Sequence, residues 1–297
     1  MTSSSILTNE DVARVGPDGP PPRPGARRRT LPDPGTALAF CVLGLVVLAA
    51  LRPSLLASGD PDAVNVLQAF RSPSAAHWFG TDQLGRDEYT RVVYGARLSL
   101  SVGFGATALA TVAATLLGLA AALGGRIAGT ALARLFDILL AFPGLLLALL
   151  VLAVFGSGGG QEILAISLAA TPGMARVVRA RVLEVRTAGY LDAAVVLGLS
   201  RGAILRRHLV PAAFRPLLVL VTVGIGESIL AGSALSFLGL GPAEPAAEWG
   251  SMLAQGRDYL ALAWWTGIIP GLAIAVTVVA ATVLGRAAQR AARRRTA

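Results

Sequence analysis

The chain has 297 residues, a net charge of +9 and only 14% charged residues, with a mean hydropathy of +0.65. Soluble domains carry about 25% charged residues, so this composition indicates a membrane protein. All 26 basic residues are arginine, which excludes a Schiff-base lysine and the lysine of a Walker A nucleotide-binding motif. Cys41 is the only cysteine, and the two histidines, His77 and His208, lie far apart. The sequence therefore offers neither an intrachain disulfide nor a recognisable metal cluster.

Several uncharged apolar runs divide the chain, and runs of about 18 or more such residues are typical of membrane-spanning helices. Residues 1–35 precede them as a polar arm that holds seven of the 17 prolines, a composition that predicts disorder. Residues 36–57 are interpreted as the first span, which acts as an uncleaved anchor. Residues 58–97 are mixed and polar, and we expect them to lie on the extracytoplasmic side.

Five further spans are expected in residues 98–286. The third apolar run is interrupted at Pro143, and Arg126 and Arg134 mark a short loop before it. The fourth run is too short alone, so its helix is expected to continue past Arg176 with its arginines reaching the interface. A re-entrant segment is the alternative there. The runs cover residues 98–124, 136–155, 163–175, 216–240 and 261–285, and a basic tail covers residues 287–297.

The arginines are distributed unevenly between the two sides that six spans define. With a cytoplasmic N-terminus, 20 arginines fall on cytoplasmic segments and six on extracytoplasmic ones. Positive residues collect on the cytoplasmic side of membrane proteins. Both termini and the basic loop 176–215 are therefore predicted to be cytoplasmic, and the net positive charge is explained without a nucleic-acid partner.

The loop between the fourth and fifth spans carries the most informative motif. An acidic residue is followed by two alanines, a glycine and, thirteen residues after the glycine, a proline; Tyr190 and His208 flank the pattern. The motif residues are Tyr190, Asp192, Ala193, Ala194, Gly198, His208 and Pro211. The pattern resembles the EAA loop of ABC importer permeases, with Asp192 in place of the usual glutamate, and its ending is similar to that of the dipeptide, oligopeptide and nickel permeases.

The resemblance implies a cytoplasmic coupling loop over about residues 186–212. A short helix at about 190–197 within it docks on a separate ATPase subunit and transmits its closure to the spans. The two alanines give this helix a low profile, and Gly198 allows the chain to leave it. An ordinary amphipathic loop helix is the alternative interpretation.

A second segment, just before the second span, is similar to the corresponding segment of the same permeases. Two glycines suit tight turns, and the charged residues can pair with one another. The residues concerned are Gly80, Asp82, Gly85, Arg86 and Asp87. Two interpretations stay open: contact with an extracytoplasmic binding protein or gate, and a structural loop that orients the second span.

A third resemblance to these permeases lies at the outer end of the fifth span, in residues 235–241 and 248–260. Gly239 and Gly241 are predicted to end the helix. Aromatic rings often anchor membrane proteins at the interface, and this role is expected of Trp249, Trp264 and Trp265.

Two acids lie close to or inside predicted spans. Glu227 is within the fifth span, where a carboxylate is costly and marks a functional candidate. We expect it to line the translocation path, with a contact to a partner subunit or a hydrogen bond to a neighbouring helix as alternatives. Asp137 is expected near a helix start, where the helix dipole favours a carboxylate.

The resemblance covers residues 70–290 and implies an all-α integral membrane fold with six transmembrane helices, the type I ABC importer permease fold. The implied partners are two ABC ATPase subunits, a second homologous permease and an extracytoplasmic solute-binding protein in a bacterial cytoplasmic membrane. ATP and Mg would be bound by the ATPase subunits, and no cofactor or catalytic residue is expected in this chain. Small peptides are the first expected substrate, and nickel or a metal chelate is the second. An ATPase-independent transporter or channel and a membrane enzyme are the alternatives from other classes.

Overall fold

A computed structural model of the chain describes residues 34–190, 196 and 198–293. These residues are almost entirely helical, and the only extended pairing among them is an isolated antiparallel bridge between Thr81 and Asp87. The expected all-α architecture is confirmed. Most of the polar arm predicted over residues 1–35 lies outside the described residues, as does the end of the basic tail.

The helices are named α1 to α9 in chain order. Their bounds are α1 Pro34–Leu51, α2 Glu88–Leu123, α3 Gly125–Leu140, α4 Gly144–Phe155, α5 Gly159–Arg186, α6 Arg201–Ile204, α7 Val210–Phe237, α8 Trp249–Gly256 and α9 Trp265–Arg293. A π-helical turn, Leu205–Leu209, joins α6 to α7. Five helices of the described part are long and apolar enough to cross a membrane, namely α1, α2, α5, α7 and α9, and there are up to six spans if the bent pair α3–α4 is counted as one.

Helix α2 begins earlier than its apolar run. It starts at Glu88, ten residues before the span predicted from residue 98, and has 36 residues. At about 1.5 Å per residue it exceeds the ~30 Å hydrocarbon layer. The carboxylate of Asp87 starts the helix by accepting a hydrogen bond from the Thr90 backbone N–H at 2.9 Å, as N-cap residues do. Hydropathy misses this start because the first turns of α2 are polar.

The third predicted span, residues 136–155, is not a straight helix. Helices α3 and α4 meet at an angle of 99°, and Pro143 lies at the junction. Proline disfavours helical backbone in the residue before it and supplies no N–H to a helix. Arg126 and Arg134 lie inside α3 rather than in a loop, so the loop prediction is wrong. The amphipathic pattern of α3 explains why it was not recognised as an apolar run.

Helix α5 runs unbroken through 28 residues and continues past Arg176, which confirms the expected extension of the fourth run. The Arg176 guanidinium forms an ion pair with the Asp137 carboxylate. Asp137 lies in the last turn of α3, so the prediction that it stabilises a helix start is wrong. A carboxylate at a helix C-terminus is unfavourable by itself, and Arg176 compensates for it.

Helix α2 is packed closely against α5 through small side chains. Ala106, Ala110 and Ala114 of α2 are fully buried. A Cβ atom added to Gly118 of α2 would lie 2.6 Å from the Cβ of Val178 in α5. Small residues allow such close approach between membrane helices, and the alanine-rich sequence of α2 therefore suits a central position in the bundle.

Candidate functional site

The predicted segment before α2 folds around a buried ion pair. Asp82 and Arg86 are only 3% and 1% exposed, and the Arg86 Nε–H donates to Asp82 Oδ2 at 2.5 Å. Asp82 Oδ1 also accepts hydrogen bonds from the backbone N–H groups of Leu84 and Arg86, both at 2.9 Å. The expected charge pairing is confirmed, and the carboxylate acts as the centre of a tight turn.

This turn holds residues 65–71 against it. The Asn65 N–H donates to the Leu84 carbonyl at 3.0 Å, and the Phe70 N–H donates to the Asp82 carbonyl at 3.1 Å. Gly85 has a φ of +71°, and an added Cβ atom would overlap the Asn65 carbonyl. Only glycine fits this position, because both the backbone conformation and the available space exclude a side chain.

Arg91 joins this turn to distant parts of the chain, and sequence reasoning did not single it out. It is 1% exposed, and its guanidinium donates to the Pro61 carbonyl at 3.0 Å, to Asp62 Oδ1 at 3.2 Å and to the Pro245 carbonyl at 3.4 Å. Its Nε lies 3.8 Å from Asp82 Oδ2. The sequence gives little indication of this role, because the hydrogen-bond partners of Arg91 lie in the segment before α2 and in the loop after α7.

Two tryptophans also join the region around the start of α2 to residues after α7. Trp249 and Trp265 are 2% and 4% exposed, and their indole N–H groups donate to the carbonyls of Val92 at 2.8 Å and Thr81 at 3.0 Å. The interfacial role predicted for these two rings is therefore wrong. Trp264 is 50% exposed. We call residues 52–92 and 238–266, which meet through these contacts, the motif end of the bundle.

Two buried carboxylates, those of Glu248 and Glu162, connect residues 235–241 and 248–260 to α2 and α5. Glu248 caps α8 by accepting hydrogen bonds from the backbone N–H groups of Gly250 and Ser251, both at 2.9 Å, and from the Ser99 hydroxyl of α2 at 2.9 Å. Glu162 at the start of α5 accepts from the Ser236 hydroxyl of α7 at 3.2 Å. As predicted, α7 ends just before Gly239, which has a φ of +81°.

The geometry bears on the two interpretations of the segment before α2. Gly80, Asp82, Gly85 and Arg86 are buried and Asp87 is half-buried, and the Asp87 carboxylate lies 2.9 Å from His77 Nδ1. These positions favour the structural loop that orients α2. A contact of the same five residues with a binding protein or gate stays a prediction.

The opposite end of the bundle holds the predicted coupling loop, residues 186–212, which we call the arginine-rich end. Asp192, Ala193 and Ala194 lie outside the described residues. Gly198 has a φ of +80°, and no described atom lies within 4 Å of a Cβ added there. The predicted turn at this glycine agrees with its left-handed backbone.

The other motif residues lie around the start of α7. Tyr190 is 53% exposed, and its ring centroid is 5.9 Å from that of His208. His208 belongs to the π-helical turn, and Pro211 lies in the first turn of α7 and is exposed. The structure thus brings Tyr190 and His208 together, and Pro211 follows them directly.

The exit of this loop is anchored in the bundle. Leu209, Ala213 and Leu217 of the π turn and α7 belong to one buried cluster with Val178 and Val182 of α5. The Arg186 guanidinium at the end of α5 also donates to the Ala122 carbonyl of α2 at 2.6 Å. The exit of the loop is therefore in direct contact with three long helices, α2, α5 and α7.

A cavity of about 460 Å³ opens between α4, α5 and α7. Glu227 is exposed, and among the described residues that line the cavity it is the only charged one. The Ser228 hydroxyl, which also lines it, lies 3.1 Å from the Thr107 hydroxyl of α2. The rest of the wall is apolar, and seven of its residues are alanine or glycine: Gly144, Ala148, Ala169, Ala170, Gly224, Ala231 and Ala234.

Comparison with known proteins assigns the family. Residues 114–297 match the family described as "Binding-protein-dependent transport system inner membrane component". The chain is 40% identical over 251 residues to the dipeptide transport system permease protein of Alkalihalophilus pseudofirmus, covering 83% of each protein. It is 41% identical over 250 residues to the glutathione transport system permease protein of Escherichia coli O6:K15:H31, covering 84% of this chain and 82% of that protein. The chain belongs to this family of membrane permeases.

Solved structures show the same fold. A methionine ABC transporter in an inward-facing conformation gives a TM-score of 0.54 at 19% identity, covering 68% of this chain and 96% of that one. An amino acid ABC transporter solved with histidines gives a TM-score of 0.53 at 16% identity, covering 67% and 93%. The expected type I ABC importer permease fold is confirmed by these matches together with the family.

Proposed function

We propose that this permease forms the translocation path for small peptides in an ATP-driven importer and is driven by separate ATPase subunits. The observation that carries the proposal is the similarity to permeases named for dipeptide, di/tripeptide and glutathione transport, at 36–41% identity over more than 80% of this chain. These solutes share a peptide bond and a free amino group. Peptides are therefore preferred to nickel or a metal chelate.

The coupling loop is the part that the ATPases would move. Its motif residues Tyr190, Gly198 and Pro211 are exposed and His208 is half-buried, while the exit of the loop is anchored on α2, α5 and α7. A docked ATPase could thus displace the loop and shift these helices together. The chain contains no lysine, so ATP and Mg would be bound by the partner chains, and this permease would make and break no bonds in the solute.

The proposed assembly contains two ATPase subunits, a second homologous permease and an extracytoplasmic binding protein. In it the arginine-rich end faces the cytoplasm, together with both termini, and the motif end faces outward. The support for this orientation is the arginine distribution under the positive-inside rule. The buried, hydrogen-bonded motif end would then offer a firm surface to the loaded binding protein.

Reconstitution tests the transport function. The assembled importer in proteoliposomes should accumulate a radiolabelled dipeptide only with ATP and with the loaded binding protein present. Uptake by the permeases without ATPase subunits would instead identify a secondary transporter or channel. ATP-dependent uptake of nickel with no uptake of peptides would establish the metal alternative.

Cysteine labelling tests the orientation. Cys41 is replaced by serine, and a single cysteine is introduced by Ser200→Cys in the coupling loop or by Ser58→Cys in the segment after α1. An impermeant maleimide added to intact cells should label the cysteine at position 58 and leave that at position 200 unlabelled until the membrane is opened. Labelling of position 200 from outside would contradict the proposed topology.

A further inference from the structure

The cavity between α4, α5 and α7 combines a carboxylate with an apolar wall in the middle of a membrane span. Glu227 lies ten residues from each end of the apolar window Leu217–Phe237. A carboxylate at this depth is expensive and marks a functional site by default. The ion pairs that join the described residues do not include Glu227, so its charge is available to a cation that enters the cavity.

The composition of the wall indicates which cation fits. Calcium and magnesium need about six oxygen ligands, whereas this wall provides one carboxylate and the Ser228 hydroxyl. An alkylammonium group has three N–H donors, and a carboxylate satisfies it with charge and two acceptor oxygens. The small apolar residues around Glu227 leave room for a carbon skeleton attached to that ammonium group.

The size of the cavity agrees with an organic solute. Its volume of about 460 Å³ is within the range of roughly 300–1,000 Å³ that is typical of small-molecule sites. The three helices that form it include α5 and α7, whose other ends are anchored to the coupling loop. Movement of that loop would therefore change the width of the cavity.

We propose that Glu227 binds the ammonium group of the solute while it passes through the permease, so that the cavity is a transient site for alkylammonium groups. The proposal rests on the proposed transport function and adds the solute group that this chain recognises. The ammonium group can be the N-terminus of a peptide or the side chain of a lysine in it. The experiment distinguishes these two sources.

Peptide binding is measured on the complex of permeases and ATPases in lipid nanodiscs, without the binding protein, by saturation-transfer difference NMR. The three probes are Ala-Ala, N-acetyl-Ala-Ala and N-acetyl-Ala-Lys. For an N-terminal ammonium site, we expect Ala-Ala to bind at least about tenfold more tightly than the acetylated dipeptide, because a charge-assisted hydrogen bond is lost. Binding of N-acetyl-Ala-Lys as tight as that of Ala-Ala would assign the site to an ammonium group of either source.

Two variants test the role of Glu227 in the same assay. Glu227→Gln should weaken binding of Ala-Ala by about tenfold, and Glu227→Asp, which keeps the charge, should retain most of it. Equal binding by the wild type and Glu227→Gln, equal binding of free and acetylated Ala-Ala by the wild type, or no binding at all would overturn the proposal. Uptake by the complete importer is measured separately, so a permease that transports dipeptides but shows any of these results would retain the proposed function and lose this inference.

Discussion

At the motif end of the bundle all glycines except Gly239 have other atoms close to the position of a Cβ, whereas at the arginine-rich end no described atom lies close to that position. A Cβ atom on Gly80 would lie 2.6 Å from Trp265 Nε1, and one on Gly85 would overlap a carbonyl oxygen. Cβ atoms on Gly189, Gly198 and Gly202 would have no described neighbour within 4 Å. Close packing therefore requires glycine at Gly80 and Gly85, whereas no close contact with a described atom requires it at Gly189, Gly198 and Gly202.

The two ends also differ in the contacts that stabilise their structure. Buried ion pairs and backbone hydrogen bonds hold the motif end together from within this chain. The coupling loop at the arginine-rich end is anchored where it enters α7, but its motif residues Tyr190 and Pro211 are exposed. Its final arrangement would be determined by the ATPase subunit that covers it.

The largest effect is expected from breaking the buried ion pair at the motif end. Arg86→Leu removes the guanidinium that is hydrogen-bonded to the buried Asp82 carboxylate and leaves only the more distant Arg91 Nε at 3.8 Å. Breaking a buried ion pair costs about 3–5 kcal/mol. The melting temperature of the purified protein in detergent should fall markedly. Arg257→Leu is the matched control, because its ion pair with Asp258 is exposed and such pairs contribute about 0–1 kcal/mol. Similar melting temperatures for the two variants would refute the proposed difference between buried and exposed pairs.

Gly85→Ala should have the next largest effect. A left-handed backbone costs an L residue about 1–2 kcal/mol, and overpacking adds about 1–3 kcal/mol. The variant should unfold at lower temperature than the wild type by circular dichroism. An unchanged unfolding curve would mean that residues 65–71 are not held as tightly against the turn as the hydrogen bonds indicate.

Gly198→Leu should separate stability from transport. The φ of +80° makes the variant less stable by only about 1–2 kcal/mol, because no described atom occupies the space of a side chain. We expect it to insert normally and to lose ATP-coupled uptake in proteoliposomes. Gly198→Asn is the control, since asparagine tolerates the left-handed conformation, and it should retain part of the uptake. Normal uptake by Gly198→Leu would disprove the coupling role of this turn.

Gly189→Ala should have the smallest effect. Gly189 is helical and exposed, and alanine in place of glycine at a compatible position stabilises proteins by about 0.4–1 kcal/mol. A small rise in the melting temperature is expected, with uptake close to that of the wild type. A pronounced fall in the melting temperature would show that other atoms pack against Gly189 more closely than the structure indicates.

The sequence predicts the features of this fold that depend on local composition. Long apolar runs indicated the spans, and Gly198 and Gly239 were recognised because positive φ values favour glycine at helix ends. The polar start of α2 and the burial of Trp249 and Trp265 were missed. The start of α2 depends on a cap by Asp87 and not on apolar residues. The burial of the tryptophans depends on contacts between residues more than 150 positions apart, such as that between Trp249 and Val92, which no local pattern reports. The angle between α3 and α4 was missed although Pro143 marked its place, because a proline indicates a break and not its direction.

The contacts of Arg91 have a consequence for how the protein is made. Two of its partners, Pro61 and Asp62, precede α2, but the Pro245 carbonyl follows α7. During synthesis, α2 emerges from the ribosome long before residue 245 does. The guanidinium group can reach its final surroundings only after α7 and the loop that follows it have been synthesised and have folded against the start of α2. The motif end is therefore completed late in biogenesis, and truncation of the nascent chain before residue 245 should leave this region accessible to protease.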